Sequence, residues 1–310
     1  MKTKIAIVGL GGVGGYFGGM LAKHFSNNPE VEIYFVARGE HLRKIKENGL
    51  KLITEIGTFQ IYPKLATDKV EEIGTADYII MTPKSYDLDS TVQQIKPMIG
   101  DDTVILPLLN GIDNSERIRV LLPETEVWDG CCYIVAKINE PGVVENSGSV
   151  HRLVFGNQNQ TSERLLSFGK LLKAAGLEAD FHSDILTAIW KKFLFISSSA
   201  SLTSYFDVTY GALLIDELRK KTLIDILNEF LLVANAEGLA LHRSDAEKLI
   251  HQIESLPFET TTSMHRDFIA GKNTEVHSLT GIVVKLGKKH GIAIPTYEKV
   301  YNSLTERMKK

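Results

Sequence analysis

Lys4-Ile5-Ala6-Ile7-Val8-Gly9-Leu10-Gly11-Gly12-Val13-Gly14, near the start of the 310-residue chain, runs from a short apolar strand through a glycine-rich turn into a helical stretch. A GxGxxG match is weak in isolation, and its position between strand and helix is what gives it weight. In that setting Gly9 makes the tight turn, Gly11 lets the backbone approach a pyrophosphate, and Gly14 permits close helix–strand packing. The helix N-terminus then faces the negative charge. Gly9, Leu10, Gly11, Gly12, Val13 and Gly14 are accordingly the candidates for holding a dinucleotide, with Gly15, Gly18 and Gly19 as further close-approach positions. The alternative is a tight strand-to-helix turn that holds no ligand.

Outward from this stretch, residues 32–37, 78–82 and 103–106 repeat the short Val- and Ile-rich run, with helix-length segments between. Such alternation predicts a mostly parallel sheet covered on both faces. Residues 49–64 alternate and contain Gly57, as in a hairpin, and 127–136 and 143–155, broken by Pro141 and Gly142, read as antiparallel strands extending that sheet. From Asp184 the pattern becomes helix-periodic, with breaks at Gly211, Gly238, Pro257, Gly271, Gly291 and Pro295. The length exceeds the roughly 150 residues of a typical domain. The expected fold is therefore α/β: an N-terminal Rossmann-type mostly parallel sheet over 1–182, followed by an all-helical domain over 183–310.

Composition narrows the function. At 44% hydrophobic and 24% charged, the chain is close to an average globular protein. A net charge of −3 without a basic tail gives no reason to expect a nucleic-acid partner, which leaves a small molecule. The two cysteines, Cys131 and Cys132, are adjacent, a spacing that suits neither a staple nor a zinc site, and are expected to be structural. The glycine-crowded N-terminus lacks a signal-peptide cleavage site, and no run of about 18 apolar residues follows, so a cytoplasmic protein without a membrane partner is expected.

Several side chains carry chemistry. NAD-selective folds place Asp or Glu about 20 residues beyond the glycines, at the end of the second strand. Here that end carries Arg38, while Glu32 stands at the strand's start, the wrong edge. A guanidinium suits a ribose 2′-phosphate by charge and fork geometry, and Lys84, just past the next strand of the sheet, can join it, so NADPH is expected over NADH. Lys192 lies seven, three and four residues from Ile185, Ile189 and Ile196 and leans on their apolar stripe, whereas Lys191 turns away. Lys192 either snorkels to water or serves as a general acid, a role that partial desolvation of its ammonium would favour. In 274–290, Val276, Leu279, Ile282, Val283 and Leu286 trace an apolar arc that contains Glu275 and excludes His277. A carboxylate there is an ion-pair member or lines a site. Asn110-Gly111 follows the 103–106 strand as a turn or a ligand contact, and His265 and His277 are the rival proton donors.

Together these residues resemble the ketopantoate reductase (2-dehydropantoate 2-reductase) family over nearly the whole chain. Gly9-Leu10-Gly11-Gly12-Val13-Gly14-Gly15 is similar to its NADPH loop, Arg38 and Lys84 to its 2′-phosphate grip, and Asn110-Gly111 to its Asn-Gly pair near the nicotinamide. Trp190-Lys191-Lys192-Phe193 is similar to its WxK signature, and Ser263-Met264 with Glu275 to its substrate-binding Ser and Glu. The resemblance implies NADPH-dependent reduction of 2-dehydropantoate to pantoate in pantothenate biosynthesis. Lys192 would protonate the developing alkoxide, Asn110 orient it, Ser263 hold the carboxylate and Glu275 bind the terminal hydroxyl. It also implies a homodimer, for which the residues themselves show no interface. Ile196, Ala200 and Thr260 replace asparagines frequent in the family, and so leave open a more hydrophobic 2-oxo acid. A non-catalytic NADPH-binding sensor is the alternative outside enzymology.

Overall fold

The computed structural model describes residues 2–158 and 161–309, which form two compact units. One comprises Met1–Leu109 and Asp113–Ile185, the other Asn110–Ile112 and Leu186–Lys310.

In chain order the first unit contains β1 (Thr3–Val8), α1 (Gly12–His24), β2 (Val31–Val36), α2 (Gly39–Asn48), β3 (Leu50–Thr54), β4 (Gly57–Ile61), β5 (Leu65–Thr67) and β6 (Tyr78–Met81). There follow α3 (Leu88–Ile95), β7 (Val104–Pro107), α4 (Asn114–Leu121), β8 (Glu126–Val127), β9 (Asp129–Glu140), β10 (Val143–Gly156), α5 (Glu163–Ala174) and β11 (Glu178–Phe181). A six-stranded sheet runs in the order β5-β2-β1-β6-β7-β8, parallel throughout. The unbroken apolar runs of its strands follow from burial of both faces. Ile5 and Ile7 enter one core with Tyr78 and Ile80, while Ala6 and Val8 enter the opposite core with Ile79 and Met81, as a side-chain period of two requires. The α/β expectation is met here.

The strands beyond β8 depart from expectation. Rather than extending the parallel sheet, β9 and β10 pair with each other in a second sheet, ordered β11-β10-β3-β4 with β9 on β10. β10 runs parallel to β3 and β11, and the 49–64 hairpin appears as β3–β4. Helix α1 lies between the two sheets, buried from Gly14 to Ala22. This sandwich explains its glycines. A Cβ on Gly18 would come within 2.8 Å of Ile7 of the parallel sheet, and one on Gly15 within 2.5 Å of Val144 of the second sheet. Gly15, Gly18 and Gly19 thus serve packing between helix and sheets, not approach to a ligand. Buried Trp128, beside Tyr78, Phe155 and Phe168, fills the aromatic part of this core.

The second unit is helical: α6 (Ile185–Phe206, from its second residue), α7 (Tyr210–Ile215), α8 (Glu217–Ala236), α9 (Arg243–Ser255), α10 (Ser263–Ile269), α11 (Ile282–His290) and α12 (Pro295–Arg307). Most of the foreseen breaks fall between helices. Gly211 is the exception, lying inside α7 where the ring of Phe258 leaves no room for a Cβ. Helix α6 buries Ser197, Ser198, Ser199, Ser201 and Thr203. Ser198, Ser199 and Thr203 bond back to carbonyls four residues earlier, which satisfies their hydroxyls inside the core. Ser197 and Ser201 reach outward, to the carbonyl of Leu279 at 2.6 Å and the hydroxyl of Thr280 at 2.7 Å. Both partners belong to a π-helical turn, His277–Gly281, which interrupts the continuous α-helix expected over 274–290. Val276, Leu279, Ile282 and Val283 are buried as the arc predicts, and Leu286 is half-buried. No helix among the described residues is long and apolar enough to cross a membrane.

Candidate functional site

The glycine turn is built by three different constraints. Gly9 has φ +92°, a region that disfavours side chains, and its N–H donates to the Val36 carbonyl at 3.0 Å while its own carbonyl accepts from Thr82 Oγ1 at 2.5 Å. At Gly14 a Cβ would lie 2.1 Å from the Gly9 carbonyl oxygen, so the helix can sit against the turn only without one. Gly12 is forced by an unforeseen neighbour, the Ala136 carbonyl of β9, 2.2 Å from where its Cβ would be. Gly11 differs, because nothing lies within 4 Å of its Cβ position. Protein packing therefore does not require a glycine there, and the open space beside a helix N-terminus fits a pyrophosphate. Leu10 is buried and Val13 packs half-buried on the core, so these two contribute scaffold and backbone.

Arg38 follows β2 and forms the N-cap of α2, with an 83% exposed guanidinium. Lys84 follows β6 and opens a short 3₁₀ turn, Ser85–Asp87. The structure links the two through a residue the sequence reading passed over: Arg38 Nη2 donates to Asp87 Oδ2 at 2.6 Å, and the Asp87 N–H donates to the Lys84 carbonyl at 2.9 Å. A carboxylate three residues after Lys84 was the available signal. Glu32 is confirmed at the start of β2, where hydrogen bonds from Lys2 Nζ at 2.8 Å and Tyr34 OH at 2.7 Å hold its carboxyl down to about 2.

In the second unit, Lys192 is buried in α6 at 8% exposure, and its Nζ donates to Asn110 Oδ1 at 2.9 Å. The structure thus joins two candidates 82 positions apart in sequence. Gly111 has φ +125°, so the Asn-Gly pair is also a turn that presents the amide. Lys191 points away, as its spacing predicts, with an ion-pair contact to Asp245 at 3.5 Å. Glu275 is buried two residues before the π turn, and that turn is fixed by Ser197 and Ser201 to the helix that carries Lys192. The neighbouring Thr274 buries a hydroxyl that has no hydrogen-bond partner. Ser263 is the half-buried first residue of α10. Ile196 and Ala200 both belong to the apolar cluster of this unit, and Thr260 is tied by its backbone to Tyr210 and Pro257.

The rival proton donors are placed otherwise. Buried His265 has Thr261 Oγ1 at 2.6 Å on Nδ1 and Asp207 Oδ1 at 2.7 Å on Nε2, which engages both ring nitrogens in structure. His277 is exposed and bonded to Tyr301 OH at 2.8 Å. Cys131 and Cys132 are buried thiols.

Known proteins resemble the chain over nearly its whole length. Family models for ketopantoate reductase PanE/ApbA and for its C-terminal region match residues 5–160 and 184–308. The chain is 30% identical over 302 residues to the uncharacterized oxidoreductase YkpB of Bacillus subtilis (strain 168), covering 97% of each. It is 34% identical to the crystal structure of 2-dehydropantoate 2-reductase from Porphyromonas gingivalis W83, with TM-score 0.87 over 98% of this chain and 100% of that one. A D-mandelate dehydrogenase in ternary complex with NADH and anilino(oxo)acetate is 27% identical, with TM-score 0.87 over 99% of each chain. With both family models together spanning most of its length, the chain belongs to the ketopantoate reductase family.

Proposed function

We propose that this oxidoreductase reduces 2-dehydropantoate to pantoate with NADPH, in pantothenate biosynthesis in the cytoplasm, with Lys192 as general acid. The observation that carries the reading is a buried lysine whose Nζ donates at 2.9 Å to Asn110. The glycine turn and its open position at Gly11 would hold the pyrophosphate, and Arg38 with Lys84 the 2′-phosphate. Bound there, a nicotinamide nucleotide supplies the hydride that reduces the ketone carbon. Lys192 delivers the proton that completes the hydroxyl group, and the Asn110 amide oxygen aims Nζ. Ser263 binds the substrate carboxylate, and Glu275 accepts from the terminal hydroxyl, held by the pinned turn that follows it. Members of the family often pair as dimers, and this chain is proposed to do the same.

A second reading keeps the chemistry and changes the acid. Ile196 and Ala200 present apolar groups where amides are frequent in the family, and the mandelate dehydrogenase neighbour binds an aryl-bearing oxo acid analogue. A hydroxyl left unpaired against such groups costs about 1–3 kcal/mol. Steady-state NADPH oxidation with a panel of 2-oxo acids separates the two. The expected result is the highest kcat/KM on 2-dehydropantoate, and equal or lower efficiency on it than on every other acid overturns the first reading in favour of the second.

A further inference from the structure

The guanidinium assigned to the 2′-phosphate already has an anionic neighbour. Arg38 Nη2 and Asp87 Oδ2 are 2.6 Å apart, and the Asp87 side chain is itself only 28% exposed. Its backbone is firmly held. The Asp87 N–H donates to the Lys84 carbonyl at 2.9 Å, and its carbonyl accepts from Ser90 Oγ at 2.9 Å and Thr91 Oγ1 at 2.7 Å as α3 begins. The turn that follows Lys84 therefore sets the Asp87 side chain beside the Arg38 cation.

A phosphate monoester at this place brings a charge of about −1.5 to −2. The Asp87 carboxylate competes with it for the bidentate contact that favours arginine, and it must also lie beside that negative charge. An unphosphorylated ribose meets neither cost. Its hydroxyls can instead donate to the Asp87 carboxylate, the same chemistry by which acidic residues at the second strand select NAD in Rossmann folds. The Arg38–Asp87 pair thus offers a cation to one nucleotide and an acceptor to the other.

We infer that Asp87 is a specificity-determining residue that weakens the preference for NADPH over NADH, so that the enzyme uses both nucleotides. The inference rests on the reading that Arg38 grips the 2′-phosphate, and the experiment separates the two. Calorimetric binding of 2′,5′-ADP and of 5′-AMP, which differ only by the 2′-phosphate, is measured on the full chain and its variants, together with kcat/KM for NADPH and NADH. Asp87→Asn is expected to tighten 2′,5′-ADP by about threefold to thirtyfold without tightening 5′-AMP, and to raise the NADPH:NADH ratio in parallel. Asp87→Ser, which keeps a small side chain at the start of α3 without the charge, is expected to shift the ratio in the same direction. Arg38→Ala is expected to do the opposite. If Arg38→Ala loosens 2′,5′-ADP selectively while both Asp87 variants leave the pair within twofold, the inference is overturned and the phosphate grip stands. If Arg38→Ala affects the two probes equally, the grip itself falls and the inference falls with it.

Discussion

Replacing Lys192 with methionine tests the proposed chemistry most directly. The side chain is 8% exposed and its Nζ donates to Asn110, so methionine of similar length refills the space while removing both the charge and the transferable proton. A positioned general acid contributes about 10²–10⁴ in rate. At about 1.36 kcal/mol per decade, this is about 2.7–5.4 kcal/mol of transition-state stabilisation. The cost to folding is smaller. A hydrogen bond from a charged group contributes about 1.5–3 kcal/mol net, and relief of the ammonium's desolvation works in the opposite direction. The variant is therefore expected to lose less than about 2 kcal/mol in urea denaturation while kcat falls at least a hundredfold and nucleotide affinity changes little. Single-turnover stopped-flow on the purified variant, with nucleotide affinity measured by fluorescence titration, reads both quantities. Lys192→Arg keeps a cation that cannot give up its proton, and should be nearly as slow. A kcat within tenfold of the parent in the methionine variant, or full activity in the arginine variant, would refute proton donation by this side chain.

Two further outcomes follow from the first unit. Gly11→Ala should fold normally, because nothing lies within 4 Å of the added Cβ, yet lose at least tenfold in nucleotide affinity, whereas Gly14→Ala should fail to fold well because its Cβ meets the Gly9 carbonyl. Thermal melts and nucleotide titrations distinguish them, and unchanged affinity in Gly11→Ala removes the pyrophosphate from that position. Glu32 has its carboxyl lowered from an ordinary 4.5 to about 2, chiefly by the hydrogen bond from Lys2. Its contribution is therefore complete above pH 4.5 and is lost as the pH falls toward 2, so Glu32→Gln should flatten the acid-unfolding curve in that window while changing little below it.

Much of the candidate site was legible because its signals are local. The strand-turn-helix around Gly9 declares itself within a dozen residues, and Arg38 and Glu32 could be sorted to opposite ends of β2 by the direction of a parallel strand. Lys192 and Lys191 could be told apart by 100° of helical rotation, and the structure puts one in the core and the other beside Asp245. Glu275 was placed on the buried side by the same arithmetic, although the π turn after it was not visible. That turn involves bonds from Ser197 and Ser201, about 80 positions earlier, and no period in its own sequence announces them.

The amino-acid sequence alone determined which segments become strands and helices, which face of each is apolar, and where the backbone can come close to an anion, since these follow from periodicity and from the missing side chain of glycine. Only the tertiary structure decided that β9 and β10 build a second sheet over α1, that the Ala136 carbonyl leaves no room for a side chain at Gly12, that Asp87 faces Arg38, and that Asn110 meets Lys192. The reason is physical. A strand's alternation specifies its faces but not its partner, and an ion pair or hydrogen bond between distant residues depends on where the packed core carries their backbones.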